Sequence, residues 1–134
     1  MADFAKAHTK TQAHEAGYAN HRNDSGGETW AGIARVYHPH FLGWQIVERA
    51  KATLGLTSTV DASKAVRDAL DKELRKSKSL AALVADFYKS SFWDKLRLDA
   101  EPDQLYAEKL YDVAVNMGDS RGADFDKRVR EAVG

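Results

Sequence analysis

The 134-residue sequence has no cysteine, only two prolines, and no excess charge of either sign, with twenty basic residues against twenty acidic ones. Without cysteine there can be no disulfide, thiolate metal site or cysteine nucleophile. Positions 1–60 carry six basic against five acidic residues, and positions 61–134 fourteen against fifteen. Neither half is a basic arm, so no nucleic-acid partner is expected. The longest apolar run, Leu80–Ala85, is six residues, against the ~20 that a spanning helix needs, so no stable membrane insertion is expected. The first fifteen residues, MADFAKAHTKTQAHE, hold two acids and no apolar stretch, and do not read as a secretory signal. The expectation is synthesis in the cytoplasm, with any work outside it dependent on release or export by another system. Oligomeric state is not legible.

Twenty-one alanines and eleven leucines lean towards helix. The pattern predicts an all-α domain with one irregular loop or short hairpin after the first helix. That helix runs from about Asp3 to His14, with Asp3 as N-cap. Gly17 to Glu28 is rich in Gly, Asn, Asp and Ser and reads as the loop. A short helix is expected from Thr29 to Tyr37, broken by Pro39. The next spans Phe41–Leu54 and stops at Gly55. Asp61 or Ser63 caps another, carrying Val66, Ala69, Leu70 and Leu74. Ser79 opens a helix with Leu80, Leu83, Val84, Phe87 and Tyr88 on one stripe. Asp103 caps a further helix with Tyr106, Leu110, Val113 and Met117 inward, closed by Gly118. Residues 123–133 form the last.

Chemistry gathers around the loop. Glu15, Asp24 and Thr29 stand in the order Glu-x8-Asp-x4-Thr. Cleaving a glycosidic bond takes a protonated acid on one side of the sugar and an ionised carboxylate on the other. A carboxyl at a helix C-terminus feels the negative end of the dipole, which favours its protonated form and suits Glu15 as the acid. Asp24, among loop amides and hydroxyls, stays charged, and Thr29 orients the attacking water. That arrangement predicts inversion at the anomeric carbon, with the carboxyl groups roughly 6.5–9.5 Å apart. Structural readings stand beside these: Asp24 as an Asx-turn residue and Thr29 as a helix N-cap. Glu28 is the rival second carboxylate. Gly26 and Gly27 are expected to adopt positive φ or to let the backbone approach a glycan closely.

The wider string EAGYANHRNDSGGETWAGI, residues 15–33, closely resembles the signature of glycoside hydrolase family 108: E-G-G-Y-x-N, then D-x-G-G-x-T, then G-I. The resemblance implies a lysozyme-like helical fold and N-acetylmuramidase activity on peptidoglycan glycan strands. It carries Glu15 as general acid, and matches Asp24, Gly26, Gly27, Thr29, Gly32 and Ile33 to the remaining motif. The similar Glu–Asp–Thr order of phage-type lysozymes makes Asp24 and Thr29 its partners. Ala16 departs from the pattern, which has Gly there. A second block, FYKSSFWDKLRL (87–98) and QLYAEKLYDVAVNMG (104–118), resembles the peptidoglycan-binding region that follows this motif. The implied organisation is a catalytic region over 1–78 and a shortened wall-binding region over 79–134, packed as one unit. The implied reaction needs no cofactor, since side chains handle both proton and water. A lytic transglycosylase, or a catalytically weak wall-binding or secretion-activating protein, are the alternative functions.

Other residues carry less. His38 and His40 have a chelate-like spacing but lack a third ligand, so no metal is expected. Phe92 and Trp93 read as core anchors rather than a sugar platform. Tyr18 and Trp30 flank the loop and are candidates to line a groove with Gly26 and Gly27. Asn116 is either a structural group at a helix end or a hydrogen-bonding partner for sugar. Arg75–Lys78 reads as a solvated face.

Overall fold

The computed structural model describes the chain except for residues 14–16, 119 and 121. Among the described residues there are six α-helices and one three-stranded antiparallel sheet, so the all-α expectation is corrected to a mainly helical fold with a small sheet. A lysozyme-like helical domain is compatible with it. The chain forms two compact units, Glu15–Val84 and Met1–His14 with Ala85–Gly134.

In the first unit, β1 (Tyr18–Asn20), β2 (Glu28–Trp30) and β3 (Ile33–Ala34) pair in sequence order. Tyr18 lies opposite Trp30, Asn20 opposite Glu28, and Trp30 opposite Ile33. The helix expected over Thr29–Tyr37 is absent: β2 turns directly into β3. Ala31 and Gly32 both adopt positive φ, at 50° and 82°, as a type I′ hairpin turn demands. Helices α2 (Gly43–Thr53) and α3 (Lys64–Arg75) follow, and α4 (Lys78–Tyr88) begins in this unit. Gly55 ends α2 at φ 72°, and Ser63, not Asp61, caps α3 through the Val66 amide. Asp61 instead sits at φ 52°. Ser77 accepts the Leu80 amide, so it rather than Ser79 caps α4. The core comprises Tyr18, Trp30, Ile33, Trp44, Val47, Leu70, Leu74, Leu80 and Val84. Gly43 lets α2 approach its neighbours, since a Cβ there would stand 2.8 Å from Leu80 Cδ1.

The second unit holds α1 (Phe4–Gln12), the end of α4, a π-helical turn at Lys89–Trp93, α5 (Gln104–Met117) and α6 (Phe125–Val133). Asp3 and Asp103 cap α1 and α5 as expected, and Gly118 closes α5 at φ 76°. The buried stripe of α5 is Ala107, Leu110, Tyr111 and Ala114, whereas Met117 is exposed. The Tyr111 ring of that stripe meets the Trp93 ring edge-on. Phe92 and Trp93 are buried, and the Trp93 indole donates to Asp99 Oδ1 at 2.7 Å.

Candidate active site

The loop joining β1 to β2 is built on Asp24. Its backbone amide donates to the His21 carbonyl at 3.1 Å, and its own carbonyl accepts the Gly27 amide at 3.0 Å. Its side-chain Oδ1 accepts the Gly26 amide at 2.9 Å. This is the Asx-turn that Asp before Ser-Gly-Gly favours. Gly27 adopts φ +61°, as expected, whereas Gly26 does not lie in the left-handed region, so of the two expectations for that residue the positive φ is not met. From the far side, the Arg22 amide donates to Asp61 Oδ1 at 2.9 Å, and the Asp61 amide to the Asn20 carbonyl at 2.8 Å. A hydrogen-bonded frame therefore surrounds the loop's base.

Strand alternation sorts the motif residues onto two faces. Tyr18, Glu28, Trp30 and Ile33 turn inward and are buried. Ala19, Thr29 and Ala34 stand in one row on the other face, paired across the strands. Thr29 therefore begins no helix; it occupies the central strand, half-buried between two small neighbours. The Asx-turn folds back beside it. A Cβ built on Gly26 would lie 3.4 Å from Asp24 Oδ1 and 3.8 Å from Thr29 Cγ2. The structure thus brings Asp24 and Thr29 to one open patch. Glu15, together with His14 and Ala16, lies outside the described residues.

Tyr18 and Trp30 do not face that patch. Their rings belong to the inner face, which does not support a groove-lining role as they stand. Asn116 belongs to the other compact unit, exposed near the end of α5, with its amide 3.5 Å from Asp112 Oδ2 one turn back.

Glu28 sits in a closed polar cluster. Its carboxylate accepts from the Tyr18 hydroxyl, from Arg35 Nη1 at 2.8 Å and from Lys51 Nζ at 2.5 Å. Tyr18 Oη also contacts Thr59 Oγ1 at 2.6 Å. Burial alone would raise the Glu28 pKa, but Lys51, Tyr18 and Arg35 outweigh it and hold the carboxyl below its ordinary value. Burial and the adjacent carboxylate push the Tyr18 hydroxyl up. A carboxylate held so firmly ionised is a poor proton donor. Glu48 joins the cluster from α2, at 2.7 Å from Arg35 and 3.0 Å from Lys51. Arg35, Lys51 and Thr59 gave no signal in the sequence, because each is linked to Glu28 only by the fold.

Fold and site define a mainly helical fold whose short sheet carries a threonine hydroxyl on one face, beside a carboxylate from the loop between its first two strands. The family model described as Glycosyl hydrolase 108 matches residues 8–118, well over half of the chain. The chain belongs to that family, which makes it a glycoside hydrolase by class and implies peptidoglycan as its polymer. No curated protein and no solved structure matches it. Among the described residues, no helix is long and apolar enough to cross a membrane.

Proposed function

We propose that the protein is an N-acetylmuramidase that hydrolyses the β-1,4 bond between N-acetylmuramic acid and N-acetylglucosamine. Glu15 donates a proton to the glycosidic oxygen as the bond to carbon 1 breaks. Water, positioned by Thr29 and deprotonated by Asp24, attacks that carbon from the opposite face. One water is consumed and the anomeric configuration inverts. No cofactor takes part. The reading is carried by the family match, which spans the Glu15–Ile33 motif, and supported by Asp24 and Thr29 sharing the patch beside Gly26. The wall is the place of action, reached by release or export.

One observation favours a second reading. Asp24 Oδ1 is already taken by the Gly26 amide, and a lytic transglycosylase needs no second carboxylate. There the 6-hydroxyl of the muramic sugar attacks carbon 1 and closes a 1,6-anhydro ring. Mass spectrometry of products from purified peptidoglycan separates the two, since the anhydro product lacks one water. Hydrated ends support the muramidase. Zymogram clearing by the wild type and none by Glu15→Gln supports the acid role; clearing by neither moves the assignment to wall binding.

A further inference from the structure

Gly17 precedes and Tyr18 opens β1, immediately downstream of the Glu15 segment in sequence, and they are held by a side chain that no sequence motif contains. Asp71, on α3, accepts the Tyr18 amide through Oδ1 at 3.1 Å. Its other oxygen pairs with Arg75 Nε at 2.6 Å, one helical turn on. The Arg75 guanidinium lies 5.7 Å from the ring centroid of Trp30, the cross-strand partner of Tyr18. The fit at Gly17 is close: a Cβ there would stand 1.7 Å from Asp71 Oδ1 and 2.7 Å from Cγ. Gly17 is not among the glycines with positive φ, so the carboxylate, not the backbone, is what excludes alanine. Asp71 could swing aside for a methyl group only by dropping the Tyr18 amide or the Arg75 pair.

We propose that Asp71 is a positioning residue for the reaction. From α3 it fixes the backbone at Gly17 and Tyr18, the covalent anchor of the acid two residues upstream. Catalysis by a placed acid is sensitive to such anchoring, because a displacement of about 1 Å can cost ~10²-fold in rate. Asp71 touches no reacting atom; it acts through the chain that it holds. The inference rests on reading Glu15 as the general acid.

The test is steady-state kinetics on soluble glycan fragments, with thermal melts to establish that each variant is folded. Asp71→Ala should lower kcat by about tenfold or more while KM changes less than threefold. Asp71→Asn, whose amide oxygen can still accept from Tyr18, should stay within about threefold of wild-type kcat. Gly17→Ala should lose about as much as Asp71→Ala, and the double variant should be no worse than Asp71→Ala alone, since the carboxylate that the methyl meets is gone. A folded Asp71→Ala with near-native kcat, a loss confined to KM, or an Asp71→Asn as poor as Asp71→Ala would each overturn the proposal. If Asp71→Ala does not fold, Gly17→Ala decides: lowered kcat with a near-native melt supports the anchor, and unchanged kcat refutes it. Glu15→Gln is run alongside. If that variant keeps turnover, the acid assignment itself falls and the anchoring role with it; if it is inactive while Asp71→Ala is not, only the anchoring role falls.

Discussion

Replacing Glu28 with glutamine separates a structural carboxylate from a catalytic one. The substitution keeps the volume and an acceptor for the Tyr18 hydroxyl, and removes the charge that faces Lys51 and Arg35. Breaking a buried pair by neutralising one partner costs ~3–5 kcal/mol when the other is left with no counter-charge. Here both cations keep Glu48, half-exposed, at 3.0 and 2.7 Å, so the cost should fall to about 2–3 kcal/mol. At roughly 3–4 °C per kcal/mol for a chain of this size, Tm should drop by ~6–12 °C. Glu48→Gln, a loss at an exposed carboxylate, should cost no more than about 1 kcal/mol. Acidity supplies a second check. Because the folded pKa of Glu28 is depressed, its contribution is present above the ordinary value of 4.5 and is lost as pH falls from there through the folded value. Glu28→Gln should flatten that part of the stability profile. Circular dichroism melts from pH 7 down to pH 3 read both effects. A Tm within about 2 °C of wild type at pH 7 would refute the reasoning. So would a correctly folded variant with abolished turnover, which would return Glu28 to the reaction.

Gly27, at φ +61°, should not accept a β-branched residue: Gly27→Val is expected to cost roughly 1–3 kcal/mol in urea unfolding. Gly26→Ala, with nothing closer than 3.4 Å to the new methyl, should melt near wild type; reversal of that order would refute the turn geometry. Proton NMR of the first product from a β-linked glycan fragment should show the α-anomer, and a β-anomer appearing first would remove the water-positioning role of Thr29. His8, stacked on Phe4 and 2.8 Å from Tyr111 Oη, has its pKa lowered by burial from 6.5. The folded state therefore binds fewer protons, so stability should fall as pH drops below about 6.5 and level off below the folded value. His8→Gln should remove that slope in denaturant titrations at pH 7.5 and 5, and an unchanged slope would assign it elsewhere.

Much of the helical frame was legible because its signals are local. Asp3, Ser63 and Asp103 cap through amides two or three residues away, and Gly55 and Gly118 stop helices where a left-handed residue is needed. Of the sheet, only a short hairpin after the first helix was legible, as the alternative to an irregular loop; the third strand was not. Strands of three and two residues are too short to show an alternating pattern, and the β2–β3 turn places Ala31 where Asn or Gly would have announced a type I′ hairpin. On α5 the large side chains Val113 and Met117 suggested a displaced stripe: of the residues expected inward, only Leu110 belongs to the buried set of Ala107, Leu110, Tyr111 and Ala114. The motif gave Asp24 and Thr29 as neighbours of Gly26. It did not give Lys51, Thr59 or Asp71, which join the site only through the fold. Arg75, read as part of a solvated face, pairs with Asp71 and lies over Trp30 while remaining largely exposed.

The row Ala19–Thr29–Ala34 divides labour between the two sides of the sheet. Folding energy is concentrated on the inner side, where Tyr18, Trp30 and Ile33 are buried, while the outer side contributes two methyl groups and one threonine. Stability draws on the inner residues, and under the proposed function ligand contact draws on the outer ones, even though the two sets alternate along the same strands. A saturation scan would split accordingly: bulky replacements at Ala19 and Ala34 should leave expression and melting close to native while obstructing a polymer laid across the strands. Inner-side replacements should deplete the folded protein itself. If the proposed site is correct, the outer row can be reshaped to fit a different glycan without first rebuilding the core beneath it.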